Sequence, residues 1–139
     1  MRIGRSRYDS SRDSRNSEGL MLVVNHRDRP IIHSSSGRPS LSMVVNHEVG
    51  ARSMSIWTTF HEPGEVVPLH THEYEEIITV IAGEAIVTVE GESAPVHADM
   101  SVIIPAHTPH GYRNAGDGVL RMIASFPVPD AVLGKRFSS

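Results

Sequence analysis

Two histidines two residues apart, His70 and His72, give the clearest chemical signal in this sequence of 139 residues. Side chains at that offset on a β-strand point to the same face, so both imidazoles can reach one point. Glu76 shares their parity if the strand continues through a bend, and His110 follows a proline turn at the head of another candidate strand. Three imidazoles and one carboxylate suit iron, manganese, nickel, cobalt or zinc, and six-coordination would leave two positions open. The residue types therefore point to one divalent transition metal ion.

The composition narrows this chemistry further. The chain has no cysteine, which excludes disulfides, thiolate metal sites and cysteine nucleophiles, so a metal must be held by nitrogen and oxygen. The net charge of -3 is too small to suggest a dedicated polyanionic or polycationic partner. No apolar run approaches the roughly 20 residues that span a bilayer, and the N-terminus lacks the apolar core of a secretory signal. We therefore expect a cytoplasmic protein with no membrane partner and no nucleic-acid partner.

Short runs of β-branched and apolar residues, separated by Gly/Pro turns, must position these side chains. No long segment has the 3.6-residue period of an amphipathic helix. Many short, evenly spaced strands with such turns predict an all-β sandwich or barrel. The predicted strands cover residues 20–24, 41–45, 52–60, 77–82, 85–89, 96–97, 101–104, 110–113 and 119–126.

A His-x-His pair alone is commonly just the polar face of an exposed strand. Here the pair lies within a wider pattern. That pattern runs Gly64, five residues, His70-x-His72, three residues, Glu76, six residues and Gly83. At every defining position this resembles the first motif of the cupin family.

A later segment resembles the second cupin motif. It opens at Asp99, so that fifteen residues separate it from Gly83, and it continues as Pro105-x-His107-x2-His110-x3-Asn114. The resemblance covers roughly residues 41–127 and is specific for fold and metal site, but it says little about the reaction. It implies a double-stranded β-helix (jelly-roll) barrel whose metal ligands are His70, His72, Glu76 and His110.

Two positions depart from the motif. Asp99 and His107 stand where the second motif usually has glycine. If that turn requires a left-handed backbone, histidine tolerates it less well than glycine does. We interpret His107 as a rim residue rather than a fifth ligand, and the other histidines (26, 33, 47, 61 and 97) as surface or loop residues.

The lining of the pocket decides what a cupin does. The candidate substrate-binding residues are Trp57, Tyr74, Met122, Ala124 and Arg121. Both faces of the last strand carry apolar residues, so the sequence leaves open which face points inward. With Met122 and Ala124 inward the pocket is apolar, whereas with the other face inward Arg121 could anchor a carboxylate. The resemblance favours the apolar pocket.

The chain ends look different from its centre. Segment 1–19 is rich in arginine and serine and cannot bury apolar surface, so we expect a disordered tail. The alternative, a nucleic-acid-binding arm, is less favoured because acidic residues dilute its charge. We expect one cupin barrel over residues 20–130 and a C-terminal tail over residues 131–139.

Two classes of function remain open. The first is a metal-dependent enzyme on a small organic substrate, and the resemblance makes a dioxygenase the leading type, with isomerase, decarboxylase and lyase chemistry close behind. The second is a non-catalytic small-molecule or sugar-binding cupin with a structural metal. No residue is assigned a catalytic role. We expect a homodimer, with 20–24 and 41–45 as interface strands, because exposed edges must be covered.

Overall fold

The structure, a computed structural model, describes residues 21–33 and 37–136. Within these ranges the chain forms ten β-strands, two short 3-10 turns at His26–Asp28 and His47–Val49, and no α-helix. The strands β1 to β10 are Ser40–Val45, Ser55–His61, Val66–Thr71, Glu76–Ala82, Glu84–Val89, Glu92–His97, Ser101–Ile104, His110–Asn114, Leu120–Phe126 and Lys135–Arg136. The all-β class predicted from the sequence is confirmed.

Two five-stranded antiparallel sheets face each other. Sheet 1 has the order β1-β2-β9-β4-β7, and sheet 2 has the order β10-β3-β8-β5-β6. Strands that are far apart along the chain, such as β2 and β9, therefore lie side by side, as they do in a jelly roll. The predicted double-stranded β-helix is confirmed.

Alternate side chains of the two sheets meet in the core. On β4, Ile78 and Val80 are buried whereas Ile81 is exposed, as the period-2 pattern of the sequence predicts. On β9 the inward residues are Leu120, Met122, Ala124 and Phe126. The apolar face of β9 thus points inward, which decides the alternative that the sequence left open. The larger core cluster comprises Ile78, Val80, Ala85, Val87, Val96, Ile104, Tyr112, Leu120 and Met122.

The predicted first strand, 20–24, is wrong in its described part. Residues 21–25 have no regular secondary structure, and Leu20 lies outside the described residues. Leu22 instead packs against Gly50: its Cδ1 lies 2.6 Å from where a Cβ on Gly50 would be. The edge of sheet 1 is formed by β1, which pairs only with β2 among the named strands.

The C-terminal segment continues along the barrel rather than leaving it at residue 130. Ala131 is buried, and its backbone N–H donates to the Ser55 hydroxyl at 3.3 Å. Further on, Lys135 and Arg136 form β10 and pair with Thr71 and His70 of β3. We call residues 131–136 the C-terminal strap, since this described part of the expected tail crosses one end of the barrel.

The two departures from the second motif both have glycine-like backbones. Asp99 has φ +70° and His107 has φ +61°, in the left-handed region. The turn geometry is therefore retained without glycine, at a cost of roughly 1–2 kcal/mol for an L-residue. The backbone N–H of His107 donates to the carbonyl oxygen of His72 at 2.7 Å, which ties this turn to the strand that carries the histidine pair.

The structure contradicts the expectation that His61 lies at the surface. It lies at the end of β2 on the inward face and its relative exposure is 0%. The sequence position, beside the Glu62-Pro63-Gly64 turn, suggested a loop, but β2 continues through His61, which pairs with Leu120 of β9. The other four histidines outside the motifs are exposed as expected. Within the described ranges, no helix has the length and apolarity that crossing a membrane requires.

Candidate metal centre

Three strands converge at one end of the barrel, and the four motif residues lie on these strands or directly beside them. His70 lies on β3 opposite His110, the first residue of β8, because the two pair directly in the antiparallel register. His72 follows β3 immediately, and Glu76 begins β4 after a short bend. Sheet 2 thus supplies the imidazoles and sheet 1 supplies the carboxylate.

The four side chains meet at one point. One ligand-type atom from each residue lies within 4.8 Å of all the others. Glu76 Oε2 is 3.1 Å from His72 Nε2 and 3.7 Å from His110 Nε2. His72, Glu76 and His110 are buried, and His70 is half-buried.

Backbone hydrogen bonds orient two of the imidazoles. His70 Nδ1–H donates to the carbonyl oxygen of Pro68 at 2.9 Å, and His110 Nδ1–H donates to that of Thr108 at 2.8 Å. These bonds fix the tautomer in which Nε2 carries a lone pair. Both Nε2 atoms are therefore ready to bind a cation.

Two atoms of the cluster, Glu76 Oε1 and His110 Nε2, are buried and have no hydrogen-bond partner among the described residues. An unpaired buried acceptor costs about 1–3 kcal/mol, and more when it is charged. A cation at the centre of the cluster would satisfy both atoms. The donor set, three imidazole nitrogens and one carboxylate, thus fits a divalent transition metal ion.

The protonation states favour the same interpretation. Burial opposes ionisation of Glu76, but the neighbouring imidazoles of His110 and His72 outweigh it and lower the pKa of this carboxyl to about 2. Burial, helped by the neighbouring His110, lowers the pKa of His70 to about 4. Burial lowers the pKa of His110, but the nearby Glu76 carboxylate outweighs this effect and raises it. A bound cation would take the place of a proton beside Glu76.

A cavity of about 220 Å³ opens from the cluster. Its lining residues are Arg38, Pro39, Leu41, Trp57, Thr59, Val67, Pro68, Leu69, His70, His72, Glu76, Tyr112, Ala124, Phe126, Leu133 and Gly134. The wall next to the cluster is aromatic: Phe126 lies 4.6 Å from Trp57 and 5.0 Å from His72 between ring centroids. The cavity is therefore mainly apolar, with polar groups at a few places.

The structure places two of the five candidate pocket residues in the cavity lining and the other three outside it. Trp57 and Ala124 line the cavity, whereas Met122 lies deeper in the core. Tyr74 stacks on His72 at 5.6 Å behind the cavity wall. Arg121 is excluded from the pocket, because it is exposed on the outer face of sheet 1, where its guanidinium lies 5.1 Å from the Phe60 ring.

Several lining residues escaped the sequence analysis. Arg38, the only arginine or lysine among the lining residues of the described chain, lies in a segment that was interpreted only as a polar loop. Its turn is held against β3 by a hydrogen bond from Val66 N–H to the Gly37 carbonyl. Leu133 and Gly134 were assigned to a tail. For Thr59 the sequence did contain a signal, because it lies two residues after Trp57 and therefore on the same face of β2.

The C-terminal strap covers two of the four motif histidines. Its Val132 backbone N–H donates to the Tyr74 hydroxyl at 3.0 Å. A Cβ on Gly134 would lie 2.5 Å from His70 Cδ2, 2.8 Å from the Thr71 carbonyl oxygen and 3.1 Å from His72 Cε1. Only glycine therefore fits at this contact without displacing the strap or the imidazoles.

Fold and site together define a small jelly-roll protein with a three-histidine, one-glutamate cluster, and comparison with known proteins agrees. Residues 58–126 match the family model for the cupin domain. The chain belongs to the cupins and carries a small cupin-type domain.

Similar proteins include a polyketide synthase CurC from Streptomyces cyaneus, 38% identical over 76 residues, which cover 54% of this chain and 49% of that protein. Auxin-binding protein 1 from Arabidopsis thaliana is 28% identical over 123 residues, covering 80% of this chain and 61% of that protein. The chain thus spans about half to three fifths of these relatives. The solved structure of the polyketide cyclase RemF from Streptomyces resistomycificus has a TM-score of 0.70 at 20% identity, covering 86% of this chain and 88% of that one.

Loss of one cluster donor should abolish stoichiometric metal binding. After loading with zinc and dialysis, we expect about one ion per wild-type chain and at least tenfold weaker binding in Glu76→Gln or His110→Ala, because the remaining donors leave the ion incompletely coordinated. Elemental analysis by mass spectrometry measures this. His107→Gly is the matched control, since it removes an exposed imidazole at a position whose backbone suits glycine. Wild-type metal content in Glu76→Gln would contradict the site.

Gly134→Ala should weaken metal binding about tenfold, because the added methyl group pushes on the His70 ring and on the β3 backbone. A competition titration with a coloured chelator gives the zinc affinity. Gly118→Ala is the control, as no atom lies within 4 Å of a Cβ there and its φ is not left-handed. Equal affinity in the two variants would show that the strap does not support the histidines.

Proposed function

We propose that this protein is a metal-dependent enzyme that closes a ring in a small, mostly apolar organic molecule bearing several carbonyl oxygens. In this proposal one divalent ion binds to His70, His72, Glu76 and His110, and the substrate occupies the adjoining cavity. The observation that carries the proposal is the opening of a buried cluster of metal-type donors into an apolar, aromatic-walled cavity.

A divalent ion held there would act as a Lewis acid that polarises a carbonyl group and stabilises the negative charge of an enolate. The protein's own residues would provide the surroundings. Trp57 and Phe126 exclude water from one wall of the cavity and give a flat surface for an unsaturated chain. The hydrogen bonds of His70 and His110 to backbone carbonyls keep both rings fixed while the substrate moves.

The names of similar proteins support this choice among reaction types. A polyketide synthase is among the curated relatives, and a polyketide cyclase is among the solved structures of the same fold. Polyketide chains carry repeated carbonyl groups, which matches a site that combines an electrophilic centre with apolar walls.

Dioxygenation is the second candidate, because the same nitrogen and oxygen donors also suit iron and leave positions for substrate and oxygen. A binding module is the third, and the likeness to auxin-binding protein 1 favours it. Isomerase, decarboxylase and lyase reactions would use the same cluster. Ring closure, dioxygenation and simple ligand binding differ in whether substrate and oxygen are consumed, so measuring both distinguishes them.

Heptane-2,4,6-trione tests the proposal as a short mimic of a polycarbonyl chain. Aldol ring closure joins its terminal methyl carbon to the carbonyl carbon at the other end, and loss of one water followed by enolisation gives 3,5-dihydroxytoluene without an oxidant. With zinc-loaded protein we expect this phenol to form at least tenfold faster than without protein, as measured by liquid chromatography, because polarising the carbonyl lowers the barrier to enolisation.

Glu76→Gln is the matched variant and should return the rate to background. Oxygen uptake by the iron-loaded protein with the same trione, without phenol formation, would support dioxygenation instead. Tight binding of the trione with neither product nor oxygen uptake would support the binding module. Either result would overturn ring closure.

We further propose that two chains associate through the outer face of sheet 1. Isoleucines line this face in neighbouring strands: Ile103 pairs with Ile77, and Ile123 lies in the adjacent row beside Thr79. Ile103 is 66% exposed and Ile81 is 45% exposed. A contiguous apolar patch of this kind is typical of an interface.

Ile103→Asp should convert a homodimer into monomers, because a carboxylate would be buried against isoleucine. Sedimentation equilibrium at micromolar concentration is expected to give twice the chain mass for the wild type and one chain mass for the variant. Val132→Asp is the control, since Val132 is 65% exposed but lies on the C-terminal strap. A monomeric wild type would refute the dimer without affecting the metal site.

A further inference from the structure

The cavity has a second polar region at the end away from the metal-type cluster. Thr59 is a lining residue of this part of the cavity. Thr59 pairs with Met122 of β9, and Met122 pairs with Val80, which lies four residues along β4 from Glu76. At about 3.3 Å per residue, Thr59 lies well below the level of the carboxylate.

A buried histidine lies directly behind Thr59. His61 Nε2 is 3.2 Å from Thr59 Oγ1, within hydrogen-bond distance. The other ring nitrogen, Nδ1, is buried and has no hydrogen-bond partner in the part of the chain that the structure describes. Burial lowers the pKa of His61 to about 4, so the ring is neutral near pH 7 and carries a single N–H.

The position of that single hydrogen follows from the two nitrogen environments. On Nδ1 it would be a buried donor without an acceptor, which native structures rarely contain. On Nε2 it can be donated to Thr59 Oγ1. Nε2–H is therefore the favoured tautomer, and the threonine oxygen acts as the acceptor of this bond.

This assignment leaves the hydrogen of the Thr59 hydroxyl available. Thr59 is 5% exposed, and no acceptor for its hydroxyl occurs among the described residues apart from His61, whose Nε2 is used as the donor. The Tyr112 ring packs 5.6 Å from the His61 ring and 6.4 Å from the His70 ring, so it lies between this histidine and the metal-type cluster. Thr59 thus presents a hydroxyl donor to this end of the cavity.

We propose that the Thr59 hydroxyl, oriented by a hydrogen bond from His61, binds an acceptor oxygen of the substrate at the end remote from the metal. The inference rests on the proposed function, since it assumes that the other end of the substrate reaches the ion. His61 is then a positioning residue, and Thr59 is a specificity-determining one. The substrate class follows: an elongated molecule with chelating oxygens at one end, an apolar middle and a carbonyl-type oxygen at the other end.

A matched pair of bicyclic catechols tests this arrangement by binding alone. Esculetin and 2,3-dihydroxynaphthalene have similar fused rings and the same pair of chelating hydroxyls, but only esculetin has a carbonyl at the opposite end. Isothermal titration calorimetry with zinc-loaded protein gives both dissociation constants. The carbonyl also alters the acidity of the catechol, so the preference for esculetin is compared between protein variants rather than between ligands.

We expect Thr59→Val to reduce the preference for esculetin by roughly tenfold, the usual effect of one buried hydrogen bond, while binding of 2,3-dihydroxynaphthalene stays unchanged. Thr59→Ser keeps a hydroxyl and should retain most of the preference. His61→Phe should lose it in part, because the hydroxyl is no longer held in one orientation. The comparison of Thr59→Val with Thr59→Ser decides whether the hydroxyl binds the carbonyl, since His61→Phe alters a fully buried side chain.

An unchanged preference in Thr59→Val would overturn the inference, as would an equal loss for both ligands, which would indicate a purely structural role. Catechol itself, which is too short to reach Thr59 from the ion, separates this failure from that of the proposed function. If catechol binds the zinc-loaded wild type but not Glu76→Gln, the metal site stands whatever the Thr59 variants show. If catechol does not bind, the proposed function fails first.

Discussion

A buried carboxylate surrounded by three imidazoles is the constraint on which the rest of this molecule depends. Glu76 is 1% exposed, and no described residue forms a hydrogen bond with its Oε1. A charged group is expensive to bury unless something compensates it, and here His72 and His110 compensate only one of its two oxygens. The cluster therefore suits a cation, and the surrounding strands hold its four side chains close together.

The jelly roll supplies this arrangement because it brings strands together that are distant along the chain. Pairing of β3 with β8 places His70 opposite His110, and a short bend returns the chain from His72 to Glu76 on the facing sheet. The C-terminal strap then covers the histidines at Gly134, where a larger residue would collide with them. The cavity beside the cluster is lined mainly by apolar and aromatic residues, among them Trp57 and Phe126.

Residue spacing predicts side-chain positions correctly where the spacing alone fixes the geometry. It does not where two side-chain orientations are compatible with the same sequence pattern. The His-x-His pair and Glu76 share one face of consecutive strands, so their convergence followed from parity and from the cupin resemblance. The last strand carries apolar residues on both faces, and only its neighbours β2 and β4 show that Met122 is inside and Arg121 outside. His61 beside a proline turn looked like a loop residue, because nothing local shows that β2 extends far enough to bury it.

The sequence by itself determined the all-β class, the strands that correspond to β1, β2 and β4 to β9, and the four residues that gather at one point, because period-2 alternation and motif spacing are local properties of the chain. Tertiary structure alone decided the composition of the cavity. Arg38, Thr59 and Gly134 come from segments far apart in sequence, and they line one cavity only when the two sheets close and the strap crosses the barrel end. The physical reason is that side-chain surroundings in a jelly roll are set by non-local strand pairing, which a linear pattern does not contain.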